Sequence, residues 1–266
     1  MLARVVFGIF IFWRVPAFAD DRNYPIQTVH SETESVYTKL LIQKMESWPP
    51  VPVTSETLAG REVQLKVYET PGNRDYIGTE LSLTIKSPIS TVEKIMDDVE
   101  HYKDLLPGFA QINITHKEGN RFDVFWEKII PVFFVKNVKY TVTYWADKSK
   151  PDRRIYRSQL TTRRGLNALD GLVILEKKGD KTTYHETAFF DGDFGMMTTI
   201  APMKIWRDSV EAVLHGALAK KQKAEAPEKS YDSIMSDVLT GVKTYPVESL
   251  VNAKKPYPQL PLRTQR

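Results

Sequence analysis

The feature that most restricts the fold lies between Phe109 and Asp191, where short segments alternate apolar and polar residues one after another. Period-two spacing marks a strand with one buried face. It predicts strands at about Phe109 to His116, Arg121 to Ile130, Asn137 to Trp145, Arg153 to Thr161, Gly171 to Lys177 and Lys181 to Asp191. The links are turn-rich: Glu118-Gly119-Asn120, Asp147 to Asp152, Arg164 to Asp170, and Gly179-Asp180. Links this short make neighbouring strands antiparallel, because a parallel pair needs a long crossover.

Upstream, Val63, Leu65 and Val67, then Leu81, Leu83 and Ile85, alternate on either side of Pro71-Gly72-Asn73, which reads as a hairpin. After Ser87-Pro88 the period changes. Ile89, Val92, Ile95, Met96 and Val99 follow helical spacing, with Ser87 or Ser90 able to cap and Glu93 supporting the first turn. A second short helix is expected to carry Tyr102, Leu105 and Leu106 before Pro107-Gly108. Beyond Asp193, the residues Ile200, Met203, Trp206, Val210, Val213, Leu214 and Ala217 mark one face of a long helix reaching about Lys223. Lys220, Lys221 and Lys223 at its end complement the helix dipole.

A curved sheet covered by one helix tends to leave a concave apolar space. The order of elements over about Gly60 to Lys223 resembles the helix-grip fold shared by START lipid-transfer domains, coenzyme-Q-binding START-like proteins and polyketide cyclases. Trp126-Glu127-Lys128-Ile129-Ile130-Pro131, followed by Lys136-Asn137-Val138-Lys139-Tyr140, looks like the START stretch of strand, proline-containing loop and next strand. Lys136-Asn137 stands where that family usually has Arg-Asp, which favours a divergent bacterial relative. The resemblance implies an α+β fold: a curved antiparallel β-sheet wrapped around a long C-terminal α-helix, with two short helices after the first core strand. It also implies a hydrophobic ligand, such as a lipid.

The candidate pocket wall is Trp126, Tyr140, Tyr144 and Tyr184 from the strands, with Met203, Trp206 and Val210 facing them from the helix. Phe133 and Phe134, in the apolar run from Ile129 to Val135, suit a loop at the cavity mouth that gates the ligand or touches a membrane. Met196 and Met197, beside Gly192 and Gly195, suit a flexible gate with adaptable side chains. Each of these has the equally ordinary reading of core packing. Arg157, His185, Glu186 and Asp193 are the candidate polar groups, their orientation depending on strand register.

The start of the chain reads as an export signal: Arg4, the apolar run from Val5 to Trp13, and Ala17-Phe18-Ala19 before Asp20. Cleavage near Ala19 would release a periplasmic or secreted protein. Residues 20–59 then form an extension with one short helix around Val36 to Met45, and 224–266 a proline-containing tail with one helix near Tyr231 to Leu239. The chain carries a net charge of +4, of which Arg4 and Arg14 supply two, and acids interleave with its bases, so no nucleic-acid partner is expected. It has no cysteine, which rules out disulfides and thiol chemistry.

The five histidines are dispersed, and no metal motif, nucleophile elbow or dinucleotide fingerprint occurs. The expectation is therefore a noncatalytic carrier of an apolar molecule, with no cofactor and no metal, and with transient membrane contact. Two alternatives stay open. One is a cyclase- or hydratase-like enzyme using His185, Glu186 or Asp193 for proton transfer; the other is a ligand-free interaction module.

Overall fold

The computed structural model describes residues 50–51, 63–70, 73–106, 108–129, 137–164, 166–192 and 202–243. The export signal, the helix expected at Val36 to Met45 and the chain beyond Lys243 lie outside the described residues.

Strands β1 (Pro50–Val51), β2 (Val63–Thr70) and β3 (Asn73–Ile85) come first, followed by α1 (Ile89–Asp97), a 3-10 turn (Val99–His101) and the single-turn α2 (Tyr102–Leu105). A meander then runs through β4 (Phe109–Glu118), β5 (Arg121–Lys128), β6 (Val138–Lys150), β7 (Arg153–Arg164), β8 (Leu166–Lys178) and β9 (Lys181–Gly192). Helices α3 (Pro202–Glu225) and α4 (Tyr231–Lys243) follow. All nine described strands form one antiparallel sheet in the order β1-β2-β3-β9-β8-β7-β6-β5-β4. Its one pairing between strands far apart in sequence, β3 with β9, joins the N-terminal hairpin to the end of the meander.

The alternation of the sequence becomes the two faces of this sheet. Phe122, Val124 and Trp126 on β5 are buried while Asp123, Phe125 and Glu127 between them are half-buried. Two local expectations are corrected. The link expected from Arg164 to Asp170 is largely strand, because Asp170 pairs with Gln159 on one side and Phe189 on the other. Two-sided pairing outweighs the weak strand preference of Asn, Asp and Gly. Neither Ser87 nor Ser90 caps α1, and Glu93 is not in its first turn; Pro88 occupies the N-cap without a side-chain bond. The Ser87 hydroxyl instead donates to the Ala224 carbonyl of α3 at 2.5 Å.

That bond belongs to a latch holding the end of α3 over the end of β3. Lys221 Nζ donates to the Thr84 carbonyl at 2.6 Å, and the Lys86 amide donates to Glu225 Oε1 at 2.7 Å. Polar groups at a buried crossing are thereby satisfied. The tail does not begin at 224: Ala224 is buried inside α3, and Ile234 and Val238 of α4 are fully buried in the same core. Their apolar spacing, one helical turn apart, is what docks α4. With α4 covering its outer side, α3 is buried on every face from Leu214 to Lys220.

Among the described residues the buried apolar side chains form two separate clusters. One joins β2, β3, β8 and α1 to α3 and α4, with Leu81, Ile85, Leu175 and Leu218 at its centre. The other lies under the 3-10 turn and α2, with Val124, Trp126, Tyr140 and Val142 from β5 and β6. The functional site lies where they fail to merge.

Candidate functional site

Strand register explains the gap between the clusters. Across the inner face, Phe122 pairs with Tyr144, Tyr144 with Ser158, Ser158 with Gly171, Gly171 with Ala188 and Ala188 with Thr79. The row starts with two aromatic rings and continues through some of the smallest side chains. α3 faces it with Ala212, Val213 and Gly216, again small. A sheet and a helix that both present small side chains leave space, and here it is a cavity of about 220 Å³. That volume lies between the roughly 150 Å³ of a benzene-sized void and the roughly 300 to 1,000 Å³ of drug-sized pockets.

One wall is aromatic. Trp126 and Tyr140, register partners on β5 and β6, stack with ring centroids 6.2 Å apart and planes 3° from parallel. Phe109 meets Trp126 edge-on at 5.1 Å, and Phe122 stacks on Tyr144 at 5.2 Å. Such pairs fix both strands and ring orientation. Burial pushes the Tyr140 and Tyr144 phenols above their ordinary range, so both act as neutral hydrogen-bonding groups. The Tyr102 hydroxyl donates to the Met96 carbonyl at 2.8 Å, holding α2 against α1 at the cavity edge.

The opposite corner is polar. Tyr184, fully buried on β9, donates its hydroxyl to Glu186 Oε2 at 2.6 Å. Lys220, from α3, brings Nζ to 3.4 Å from the same hydroxyl and lies 5.2 Å from the Tyr102 ring centroid and 5.8 Å from that of Tyr184. Both Glu186 and Lys220 line the cavity, and Lys220 is only 8% exposed. Burial, then the Glu186 carboxylate, pushes the Tyr184 phenol far above its ordinary range, so it remains a donor. This corner sets charged groups of both signs against the aromatic wall, and Lys128, Arg157 and Asp170 also line the cavity.

Trp126, Tyr140, Tyr144 and Glu186 therefore come together at the cavity. Tyr184 does not line it; it sits in the core beneath and orients Glu186 from there. Arg157 borders the cavity, but strand alternation sends its side chain to the outer face, away from Tyr156 and Ser158 and towards Asp147. His185 also points out, its Nδ1 2.7 Å from Ser82 Oγ in an exposed pair. Phe133, Phe134, Asp193, Met196 and Met197 lie outside the described residues. Met203, Trp206 and Val210 lie in the first half of α3, which is described as backbone.

Lys220 is the residue the sequence reading misplaced. Three lysines near a helix C-terminus read as dipole partners; Lys221 donates to the Thr84 carbonyl of β3, and Lys223 to the Pro227 and Lys229 carbonyls just after the helix. Lys220 falls on the Ala212, Gly216 stripe, spaced by four residues, and turns inward.

A meander of antiparallel strands closed by a C-terminal helix, with two short helices between its first hairpin and the meander, is the helix-grip order. The fold is a helix-grip α+β fold. Similar solved structures include a STAR-related lipid transfer protein from Xanthomonas axonopodis, with 12% identity over 72% of this chain and 98% of that one, and a TM-score of 0.46. Human StarD13 (DLC2) lipid transfer and protein localization domain matches at 12% identity over 75% of this chain and 100% of that one, with a TM-score of 0.49. The Zhui aromatase/cyclase from Streptomyces sp. R1128 matches at 15% identity over 63% and 96%, with a TM-score of 0.38. No protein-family profile matches the chain, and no curated protein does.

Proposed function

We propose that this protein is an exported carrier that takes up one small apolar molecule, such as a single lipid chain or ring system, and releases it unchanged. The observation that carries the reading is the 220 Å³ cavity between two core clusters, with an aromatic wall and α3 as its cover. Burying roughly 300 Å² of apolar ligand surface gives about 7 kcal/mol before association costs, enough for reversible capture. Ile129, 43% exposed, is the single exposed large apolar residue among the described ones and opens the 129–135 run. An apolar side chain there supports brief contact with a membrane during loading. The leader ending at Ala19 supports work in the periplasm or outside the cell.

Ala188→Leu tests the cavity directly, since its longer side chain would occupy the middle of the small-residue row. Native mass spectrometry of protein from its own host should find wild type loaded with small apolar molecules and the Leu variant empty at unchanged melting temperature. A wild-type protein that is empty and binds no apolar probe would refute carriage.

A second reading, proton-transfer catalysis, draws on the Glu186, Tyr184 and Lys220 corner. The two differ in what leaves the protein. A carrier returns its ligand with unchanged mass after prolonged incubation, whereas an enzyme returns a product.

A further inference from the structure

Lys220 and Glu186 share one corner of a cavity that Lys128, Arg157 and Asp170 also line, and their bonding shows what they lack. An ammonium group has three donors and no acceptor. Among the described residues, Lys220 Nζ has one long contact, 3.4 Å to the Tyr184 hydroxyl, and two ring faces; none of its contacts there is an ion pair. Glu186 accepts from Tyr184 through Oε2, and its other oxygen has no donor among the described residues. A buried cation and a neighbouring carboxylate with spare capacity are costly unless something else completes their hydrogen bonds.

Tyr184 sets the spacing. Its hydroxyl, in the core beneath the cavity, lies 2.6 Å from the carboxylate and 3.4 Å from the ammonium, so it anchors both charged side chains, which themselves line the cavity. The phenol stays protonated and directs its hydrogen to Glu186, which leaves the remaining donors on Lys220 and the remaining acceptor on Glu186. A ligand head here meets a donor on one side and an acceptor on the other. A carboxylate or phosphate would satisfy Lys220 but face Glu186 with like charge, and an ammonium head would do the reverse. A neutral hydroxyl or primary amide accepts from one and donates to the other.

We infer that the cavity selects ligands with an uncharged polar end carrying both a hydrogen-bond donor and an acceptor, an alcohol, phenol or primary amide, seated between Lys220 and Glu186. This rests on the carrier reading and adds the chemistry of the head to it. The apolar remainder of the ligand then lies along the Trp126 and Tyr140 wall.

The test uses the full chain and four probes built on one phenylpropyl body: propylbenzene, 3-phenylpropan-1-ol, 3-phenylpropanoate and 3-phenylpropylammonium, titrated by calorimetry. The alcohol should bind about tenfold or more tighter than either ion and than the plain hydrocarbon. Lys220→Met should remove most of the alcohol's advantage and improve the ammonium probe, and Glu186→Gln should improve the carboxylate probe. Equal affinity for all four, or a carboxylate that binds best, would overturn the inference while leaving carriage intact. Binding of none of the four would instead refute carriage itself. The wild-type series decides the matter even if a variant fails to fold.

Discussion

Ser158 Oγ on β7 occupies the place where a Cβ would stand on Gly171, its register partner on β8. The pair makes the middle of the sheet thin. A side chain at Gly171 would force Ser158 to turn into a neighbour or towards the cavity. Because the atom in the way is the end of a rotatable side chain, a Ser158 rotamer change relieves most of the clash and offsets part of the roughly 0.4 to 1 kcal/mol that Gly171→Ala gains from the unfolded chain. Urea denaturation should show Gly171→Ala within about 1 kcal/mol of wild type, and more stable once Ser158→Ala is added. A Ser158→Ala background that gives Gly171→Ala no added stability would contradict the packing described.

Tyr184 is fully buried and supplies the described donor to Glu186. Tyr184→Phe should cost about 1 to 3 kcal/mol, because it leaves a carboxylate oxygen facing a ring edge. Combining it with Glu186→Gln should cost less than the sum of the single changes. Additive losses by chemical denaturation would mean that the two groups do not act as a pair.

Glu93 fastens α1 to the sheet through Arg154 Nε at 2.7 Å and Lys148 Nζ at 3.1 Å. Burial raises its pKa, but the bonds from Arg154 and Lys148 outweigh burial and hold the carboxyl below 4.5. A depressed folded value stabilises above the unfolded pKa and is lost as pH falls through the folded one. Glu93→Gln should therefore lower stability by about 1 to 2 kcal/mol at neutral pH, with the difference from wild type closing under acid. A constant difference at all pH values would argue against it.

His101 titrates in the opposite sense. Its Nδ1 lies 2.6 Å from Asp98 Oδ1, which raises its pKa above 6.5, with Asp104 and Glu100 adding to the effect. The pair stabilises fully below the unfolded pKa and is lost as pH rises through the folded one. Tyr231, at the start of α4, stacks on His101 at 5.1 Å and donates to Asp98 Oδ2 at 2.9 Å, while Lys223 lies over its ring. Amide protection factors in α4 should fall as the pH rises from below the ordinary histidine value through the raised folded one, and His101→Ala should flatten the trend. Protection that rises over that range would reverse the sign and refute the linkage.

Local patterns carried much of this structure. Period-two alternation placed β4, β5, β7 and β9 within a few residues, while β6 and β8 each run five residues further into their expected links; helical spacing placed α1 and α3, and Trp126, Tyr140 and Tyr144 were legible as an aromatic wall because they recur at alternate strand positions. The polar corner was only half legible. Glu186 and His185 are adjacent and equally polar, yet one faces the cavity and the other the outer surface, because pairing of β9 with β3 and β8 fixes the inner face. Lys220 looked like its neighbours Lys221 and Lys223 until α4 covered α3 and left inward as its direction.

The amino-acid sequence by itself determined which segments are strands and which are helices, since periodicity and turn chemistry act within a few residues. The tertiary structure alone decided the cavity. Its existence depends on Ser158, Gly171 and Ala188 falling into one row opposite Gly216, and its polarity on Lys220 of α3 and Glu186 of β9 lining the same space. Those are juxtapositions between strands and a helix distant in sequence, fixed by register and packing rather than by local spacing.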